Sequence, residues 1–396
     1  MNMKNTVSRR SFVGGLAAAV GYAGLRSGTE LWAQAGTPVA TAARSQSGAY
    51  DYDTFAKLAS NENPYGPPES VLTAMSGAFK YANRYGYPDG GIVQAIAAHH
   101  GVKAENVLLG AGSTEILDIA DSAFLQGGRK VIGVEPTFST VYEFATGLKA
   151  SAIRLPLLAD YRQDIPAMIK AAKENYKEVG FIYLCNPNNP TGVVVTKQEI
   201  KQLLDAIPED IPVLIDEAYH HFVEDPNYAT SVPYVLEGRQ VIVARTFSKI
   251  VGLAGMRLGY AVAPRALIMR MRPHSSGMSV NAVVKWGGAA ALKDTAAQEK
   301  VRRDTLRLRK KTTAELESLG YTVIPSETNF FMVNIRRQVR PVIEEFRTRG
   351  ILVGRPFPPM LEHLRVSVGT ADEMNRFMAA FKEMFPDGKA EKSKAG

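Results

Sequence analysis

Between residues 105 and 265, short apolar runs alternate with longer stretches in which apolar positions recur every three or four residues. The runs fall at 107–109, 131–134, 181–185, 213–215, 241–244 and 259–263. They are continuous rather than alternating, the pattern of strands buried on both faces. Residues 197–207 are one of the helical stretches between them. This alternation predicts an α/β fold: a large, mostly parallel sheet with helices on both sides. From about residue 290 the character changes. Residues 302–319 have the pattern of a charged amphipathic helix, and 321–324, 329–333 and 364–368 read as strands of a smaller α+β domain. The expected order is an arm at 36–75 joining the small domain, a large domain at 76–285, a small C-terminal domain at 286–385 and a flexible tail at 386–396.

Composition narrows the classes. At 45% hydrophobic and 22% charged residues the chain has enough apolar content for a packed core, which excludes disorder as its main state. A single cysteine, Cys185, excludes an intrachain disulfide framework and speaks against a cysteine-based metal site. The six histidines show no spacing with carboxylates that suggests a ligand set, so no metal is expected; His220 and His221, next to one of the clusters below, are read as lining the site at most. The net charge of +8 is spread along the chain, which argues against nucleic-acid binding. Some of it sits at the N-terminus. There, S-R-R-S-F-V at 8–13 precedes an apolar, Gly- and Ala-rich stretch at 12–25, and A-Q-A follows at 33–35. That is the order of a basic region, an apolar region and a cleavage site. The apolar region is too short for a stable membrane span. Residues 1–35 resemble a twin-arginine export signal, which implies a periplasmic or secreted protein that crosses the membrane folded.

Five of the six apolar runs end in a polar cluster. In open α/β sheets ligands sit outside the carboxyl ends of the strands, so the clusters are expected to converge. The most informative is T-F-S-K-I-V-G-L-A-G-M-R-L-G-Y at 246–260. Lys249 there is tethered close to a strand end, with Thr246, Ser248 and Arg257 as groups suited to a phosphate; a partly desolvated lysine near positive charge can form a Schiff base. In I-P-V-L-I-D-E-A-Y at 211–219, Asp216 closes an apolar strand and needs a cation or several donors, such as a protonated pyridine nitrogen, although it could equally cap a helix. C-N-P-N-N-P-T-G at 185–192 makes a rigid turn presenting Asn189. L-L-G-A-G-S-T-E-I-L at 108–117 reads as strand, Gly turn and helix start, with Gly112, Ser113 and Thr114 where free N–H groups suit a phosphate.

Taken together and in this order, the four strings resemble a fold-type-I pyridoxal-phosphate aminotransferase of class I/II, in the histidinol-phosphate-aminotransferase-like branch. N-E-N-P-Y-G-P at 61–67 and L-R-V-S-V-G-T at 364–370 extend the resemblance over about 58–383. The resemblance implies pyridoxal 5′-phosphate as cofactor and an amino acid and a 2-oxo acid as substrates. It makes Lys249 the cofactor-bearing lysine and proton carrier and Asp216 the partner of the ring nitrogen. Asn189 and Tyr219 become the partners of the 3′ oxygen, Tyr219 counting with Lys249 and Asp216 as catalytic. Phe138 becomes the stacked aromatic. Gly112, Ser113, Thr114, Thr246, Ser248 and Arg257 form the phosphate cup. Arg365 is implied as the grip on the substrate α-carboxylate, with Asn63 and Arg355 as further substrate contacts. A tyrosine from a second subunit reaches the phosphate in this family; Tyr85 is the candidate, ahead of Tyr87, which implies a homodimer with shared sites. One departure bears on substrate. Relatives acting on a phosphorylated substrate carry an arginine directly after the strand G-[IV]-[IL]-V, where this chain has Gly354, with Arg355 one residue later. A one-residue shift along an extended segment reverses the side chain, which puts histidinol phosphate in question. A decarboxylase, lyase or oxidase on the same fold is the alternative, since the same lysine and aspartate serve those reactions.

Overall fold

The computed structural model describes residues 52–386. The segment read as an export signal, the arm up to residue 51 and the tail from 387 lie outside the described residues. Twelve strands are found among those described, numbered here in chain order. They are β1 (Ala56–Leu58), β2 (Val107–Gly110), β3 (Lys130–Glu135), β4 (Ala152–Pro156), β5 (Val179–Cys185) and β6 (Val213–Asp216). The second half comprises β7 (Val241–Thr246), β8 (Gly259–Val262), β9 (Thr322–Ile324), β10 (Phe330–Asn334), β11 (Ile351–Val353) and β12 (His363–Ser367).

Seven strands form one sheet in the order β2-β8-β7-β6-β5-β3-β4. From β7 to β4 all neighbours are parallel. Only β8 runs against its neighbours, β2 and β7. The two faces of the sheet feed separate apolar clusters. Ile182, Leu184, Val213, Ile215, Val241 and Val243 enter one; Phe181, Tyr183, Leu214, Ile242 and Ala244 enter the other. Successive side chains point to opposite faces, so a strand covered on both sides is apolar at every position, which is why β5 is buried throughout. The edge strand β4 breaks that rule. Its A-I-R-L-P is half-buried to exposed, and the hydrophobic pattern gives no sign of it.

A second core gathers around the antiparallel sheet β12-β10-β9 and the short parallel pair β1-β11. Leu364, Val366 and Val368 point into it, with Phe346, Phe377 and Phe381 from the helices Val339–Thr348 and Ala371–Met384. The last helix starts at a reciprocal cap, Thr370 accepting from the Glu373 N–H while Glu373 accepts from the Thr370 N–H. The long helix expected at 302–319 is Thr295–Ser318; Asp294 caps it, and its first turns are too polar to show a period. Among the described residues no helix is long and apolar enough to cross a membrane.

The direction of β8 decides what reaches the functional edge. The carboxyl ends of β2, β3, β5, β6 and β7 share that edge, whereas β8 begins there. The residue serving the edge from β8 must therefore precede it, and Arg257 does.

Candidate active site

At one end of the cleft, the helix Ser113–Phe124 begins directly after β2, with Gly112 at φ +81 before it. No side chain caps this helix start, and Ser113 and Thr114 of its first turn line the cleft, where uncapped N–H groups suit an anion. Gly112 does not itself line the cleft. A Cβ there would run into the guanidinium of Arg257, so the glycine makes room for that arginine. Arg257 takes the left-handed region at φ 59 and donates to the carbonyls of Ala254 (2.9 Å) and Ala111 (3.1 Å) and, at 3.4 Å, to the Ser248 hydroxyl. Thr246 donates to the Ser248 hydroxyl at 2.9 Å and accepts from the Ser248 N–H at 3.1 Å. A guanidinium bound only to neutral acceptors, a helix start and two buried hydroxyls make a site for a doubly charged anion.

The middle of the cleft holds Lys249, Asp216, Asn189, Tyr219 and Phe138. Asp216 ends β6 and is 2% exposed. It accepts from the Ala218 N–H at 3.1 Å and from the Tyr183 hydroxyl at 3.4 Å, both neutral donors. Burial pushes its carboxyl up to about 6, so the folded chain favours a further cation beside it. The Lys249 ammonium donates to the Ser60 carbonyl at 3.2 Å and lies 5.7 Å from the centre of the Tyr219 ring. Burial first, then Arg365, hold it down to about 8, within reach of the neutral, nucleophilic form. Asn189 donates to the Tyr219 hydroxyl at 3.4 Å, and Phe138 is half-buried on the cleft wall.

Arg365 projects from β12 into the other end, on the same face as Ser367. It donates to the Asn189 side-chain oxygen (2.7 Å) and the Ala59 carbonyl (2.6 Å), but its Nε is buried without a partner. No carboxylate pairs with it among the described residues. Burial, with Arg355 adding and Tyr219 opposing, lowers it to about 10. Phe357 stands 4.6 Å from its guanidinium and 4.5 Å from that of Arg355, which lines the mouth.

Besides Gly112, two of the expected site residues, Asn63 and Tyr85, do not line this chain's own cleft. Asn63 does not line the cleft; its amide donates to the carbonyls of Gly66 (3.2 Å) and Ile250 (3.0 Å) and closes the turn below. The neighbouring Asn61 takes the position instead. It donates to the Tyr219 hydroxyl at 3.0 Å, accepts from the Ser367 hydroxyl at 2.8 Å and takes φ 53 to do so. The motif N-E-N contains both asparagines, and nothing in its spacing says which one faces inward. Tyr85, 94% exposed, and Tyr87 are absent from the cleft of their own chain. His220 and His221 lie beneath the cleft rather than on its wall. Thr137 and Phe357 are lining residues that motif reading passed over; Thr137 donates to Asn188 at 2.7 Å. Among the described residues no group of histidine, cysteine or acidic side chains is arranged to hold a metal ion.

The donor set fits pyridoxal phosphate. A buried carboxylate lacks a cation, a lysine is held near its neutral form, an anion cup opens at a helix start, and a guanidinium beyond has no acid. Comparison with known proteins points the same way. Residues 53–381 match the family described as aminotransferase class I and II. A histidinol-phosphate aminotransferase of Moorella thermoacetica is 36% identical over 335 residues, 83% of this chain and 85% of the relative. One from Geobacillus thermodenitrificans is 33% identical, covering 85% of this chain and 91% of the relative. Among solved structures, a protein of Erwinia carotovora atroseptica provisionally named a histidinol-phosphate aminotransferase superposes with a TM-score of 0.81 at 30% identity, over 86% of this chain and 99% of the other.

Proposed function

The chain belongs to the class I and II aminotransferase family, and we propose that it is an exported, dimeric member whose amino donor is held by its α-carboxylate on Arg365. Its reaction is pyridoxal-phosphate-dependent transfer of an amino group between an amino acid and a 2-oxo acid. The cofactor, when bound, supplies an aldehyde for the amino group and a ring that takes up electrons from the substrate Cα. The residues around it divide the remaining work. Lys249 holds the cofactor and moves the proton at the substrate Cα. Asp216 keeps the ring nitrogen protonated. Asn189 and Tyr219 would bind the 3′ oxygen, Phe138 would cover the ring, and Ser113, Thr114, Thr246, Ser248 and Arg257 would take the phosphate.

The observation that carries the donor assignment is Arg365: buried, without an acid, and with an unpartnered Nε. A carboxylate binding its fork would satisfy that nitrogen and the missing charge together. The curated relatives named above are histidinol-phosphate aminotransferases. Histidinol phosphate has no α-carboxylate, and this chain has Gly354 where the shifted arginine motif would need a side chain. The Gly354 N–H instead donates to the Arg365 carbonyl at 2.9 Å. A screen of amino donors, histidinol phosphate included, against the purified enzyme tests this. Amino acids should bleach the cofactor absorbance and a 2-oxo acid should restore it. A faster reaction with histidinol phosphate than with any amino acid would overturn the assignment, and release of carbon dioxide would indicate a decarboxylase.

Export rests on Arg9 and Arg10 ahead of the apolar stretch and on A-Q-A at 33–35. Because the cofactor is charged, it is loaded in the cytoplasm and crosses with the folded chain. Changing both arginines to lysine should strand active, full-length enzyme in the cytoplasm; unimpaired export would rule out the twin-arginine route. The dimer is supported by the exposed aromatics Phe79, Tyr85 and Tyr87 on one segment of the single chain. Sedimentation should give twice the chain mass, and Tyr85→Phe should weaken cofactor binding.

A further inference from the structure

Beneath the cleft lies a charged network that the reaction does not use. Arg245 is the penultimate residue of β7, one before Thr246, and Glu217 follows Asp216 at the end of β6. Their side chains pair at 2.6 Å and are 5% and 0% exposed. Glu217 also accepts from the Ser231 N–H (2.6 Å) and the Thr230 hydroxyl (2.8 Å), so its carboxylate has four donors. The remaining guanidinium nitrogen, Nη1, lies 2.6 Å from Nε2 of His220. Burial and Arg245 push the His220 imidazole well below its ordinary range; it is neutral, and Nε2 is the acceptor. Period two on β7 puts Arg245 on the face of Val241 and Val243, opposite Ala244, so it stands below the cleft and not in it.

A buried ion pair is a weak source of stability, since apolar residues of similar volume serve as well or better. The connections of this one suggest another use. Asp216 and Tyr219 leave β6 on the turn 216–222, while Thr246, Ser248 and Lys249 leave β7. The backbone ties the two at one point, the Glu217 N–H donating to the Ala244 carbonyl at 2.9 Å. Beyond that point the Arg245 side chain is hydrogen-bonded across to the turn, at Glu217 on its second residue and at His220 next to Tyr219, while the Lys249 ammonium meets it over the Tyr219 ring at 5.7 Å.

We propose that Arg245 is a positioning residue, which, anchored on Glu217 and donating to His220, holds Asp216 and Tyr219 in register with Thr246, Ser248 and Lys249. This rests on Asp216 and Tyr219 facing the cofactor. A displacement near 1 Å in such a constellation costs about a hundredfold in rate, so a partial loosening should be readily seen.

The test uses holoenzyme and three variants. Glu217→Gln with Arg245→Met removes both charges together and leaves no buried ion unpaired. His220→Leu removes the acceptor, and His220→Gln supplies another. Positioning predicts that the double variant and His220→Leu lose about tenfold in kcat with KM for the amino donor within about twofold. It also predicts that the midpoint of the cofactor's absorbance change with pH shifts in both, and that His220→Gln recovers most of each effect. A network that only stabilises the fold predicts lowered Tm with unchanged kcat and an unmoved absorbance midpoint, and that result would overturn the proposal. If the double variant does not fold, the two His220 variants decide by the same readouts. Asp216→Asn separates the proposal from the site assignment. If it shifts the absorbance and the network variants do not, the network reading alone fails; if it shifts nothing, Asp216 does not face the cofactor.

Discussion

The two ends of the cleft are built differently. The phosphate cup rises from one sheet edge, and several of its contacts are local: Thr246 bonds Ser248 two residues on, and Ser248 meets Arg257 nine residues on. The substrate end is assembled from distant parts of the chain. Arg365 bonds Asn189 across 176 positions and Ala59 across 306, and Asn61 bonds Ser367 across 306. A cup fixed by one edge should bind its anion much alike whatever happens at the C-terminal sheet. Selection of the donor depends on where β12 and the segment after β11 lie against the large sheet. Changes at one end should therefore leave the other readable.

The largest effect is expected between the two ends. Lys249→Ala removes both the covalent anchor and the proton carrier, and turnover should fall by at least about four powers of ten. Tm of the cofactor-free protein should stay near wild type. Activity above a few per cent would place the lysine elsewhere. Next is Asp216→Asn, which keeps the shape but cannot hold the ring nitrogen protonated. Cofactor should still bind, through the untouched cup, while kcat falls about a hundredfold or more. Wild-type kinetics with an unchanged cofactor spectrum would break the reading of the middle of the cleft.

Arg365→Lys addresses the substrate end alone. A lysine keeps the charge but loses the fork, so kcat/KM for the amino donor should drop about thirtyfold, near 2 kcal/mol for a charged hydrogen bond. Affinity for the cofactor should change far less, since the phosphate cup is untouched and Asn189 keeps its bond to Tyr219. If cofactor affinity falls in parallel, the two ends are coupled and the comparison fails.

The division also explains what was legible in the sequence. Strands covered on both faces announce themselves because every position is apolar; β4, half-exposed with Arg154 at its centre, does not, and β1 and β11 are three residues each. The cup could be read because Lys249, Ser248 and Arg257 stand on one string. At the substrate end Asn63 is the expected contact, whereas Asn61 is the asparagine that lines the cleft. The choice depends on a left-handed backbone at Asn61 and on Ser367, neither of which leaves a mark near residue 61. Phe357 was missed for a like reason: its role comes from two arginines, one of them on β12.

The lysine gives a pH test that involves neither substrate nor turnover. Burial holds Lys249 down to about 8, and only its neutral amine attacks an aldehyde. Capture of pyridoxal phosphate by the cofactor-free enzyme should rise about tenfold per pH unit below 8 and level off above it, as that fraction grows. Stopped-flow absorbance on mixing reads the rate directly. A midpoint near the usual lysine range would mean that the amine is solvated in the cofactor-free protein.

The smallest effect isolates the substrate end, because it enters there by packing alone. A Cβ added at Gly354 would lie 2.8 Å from the Arg365 carbonyl and 3.0 Å from its Cβ, with Nε at 3.2 Å. The first two atoms belong to β12 and cannot swing away, so the strand must give by a few tenths of an ångström. Arg365 moves with it, and its bonds to Asn189 and Ala59, at 2.7 and 2.6 Å, lengthen. Gly354→Ala should therefore raise KM for the amino donor about threefold to tenfold, the loss of roughly 1 kcal/mol from a charged hydrogen bond set off its best geometry. Cofactor affinity should change far less, since no atom of the cup is touched and Asn189 keeps its bond to Tyr219, and the pH dependence of cofactor capture should stay near wild type, since Arg365 keeps its charge. Steady-state kinetics and a cofactor titration on the same preparation distinguish the cases. An unchanged KM would mean that β12 absorbs the methyl group without moving its arginine, and that donor selection is set further out, at Arg355 and Phe357.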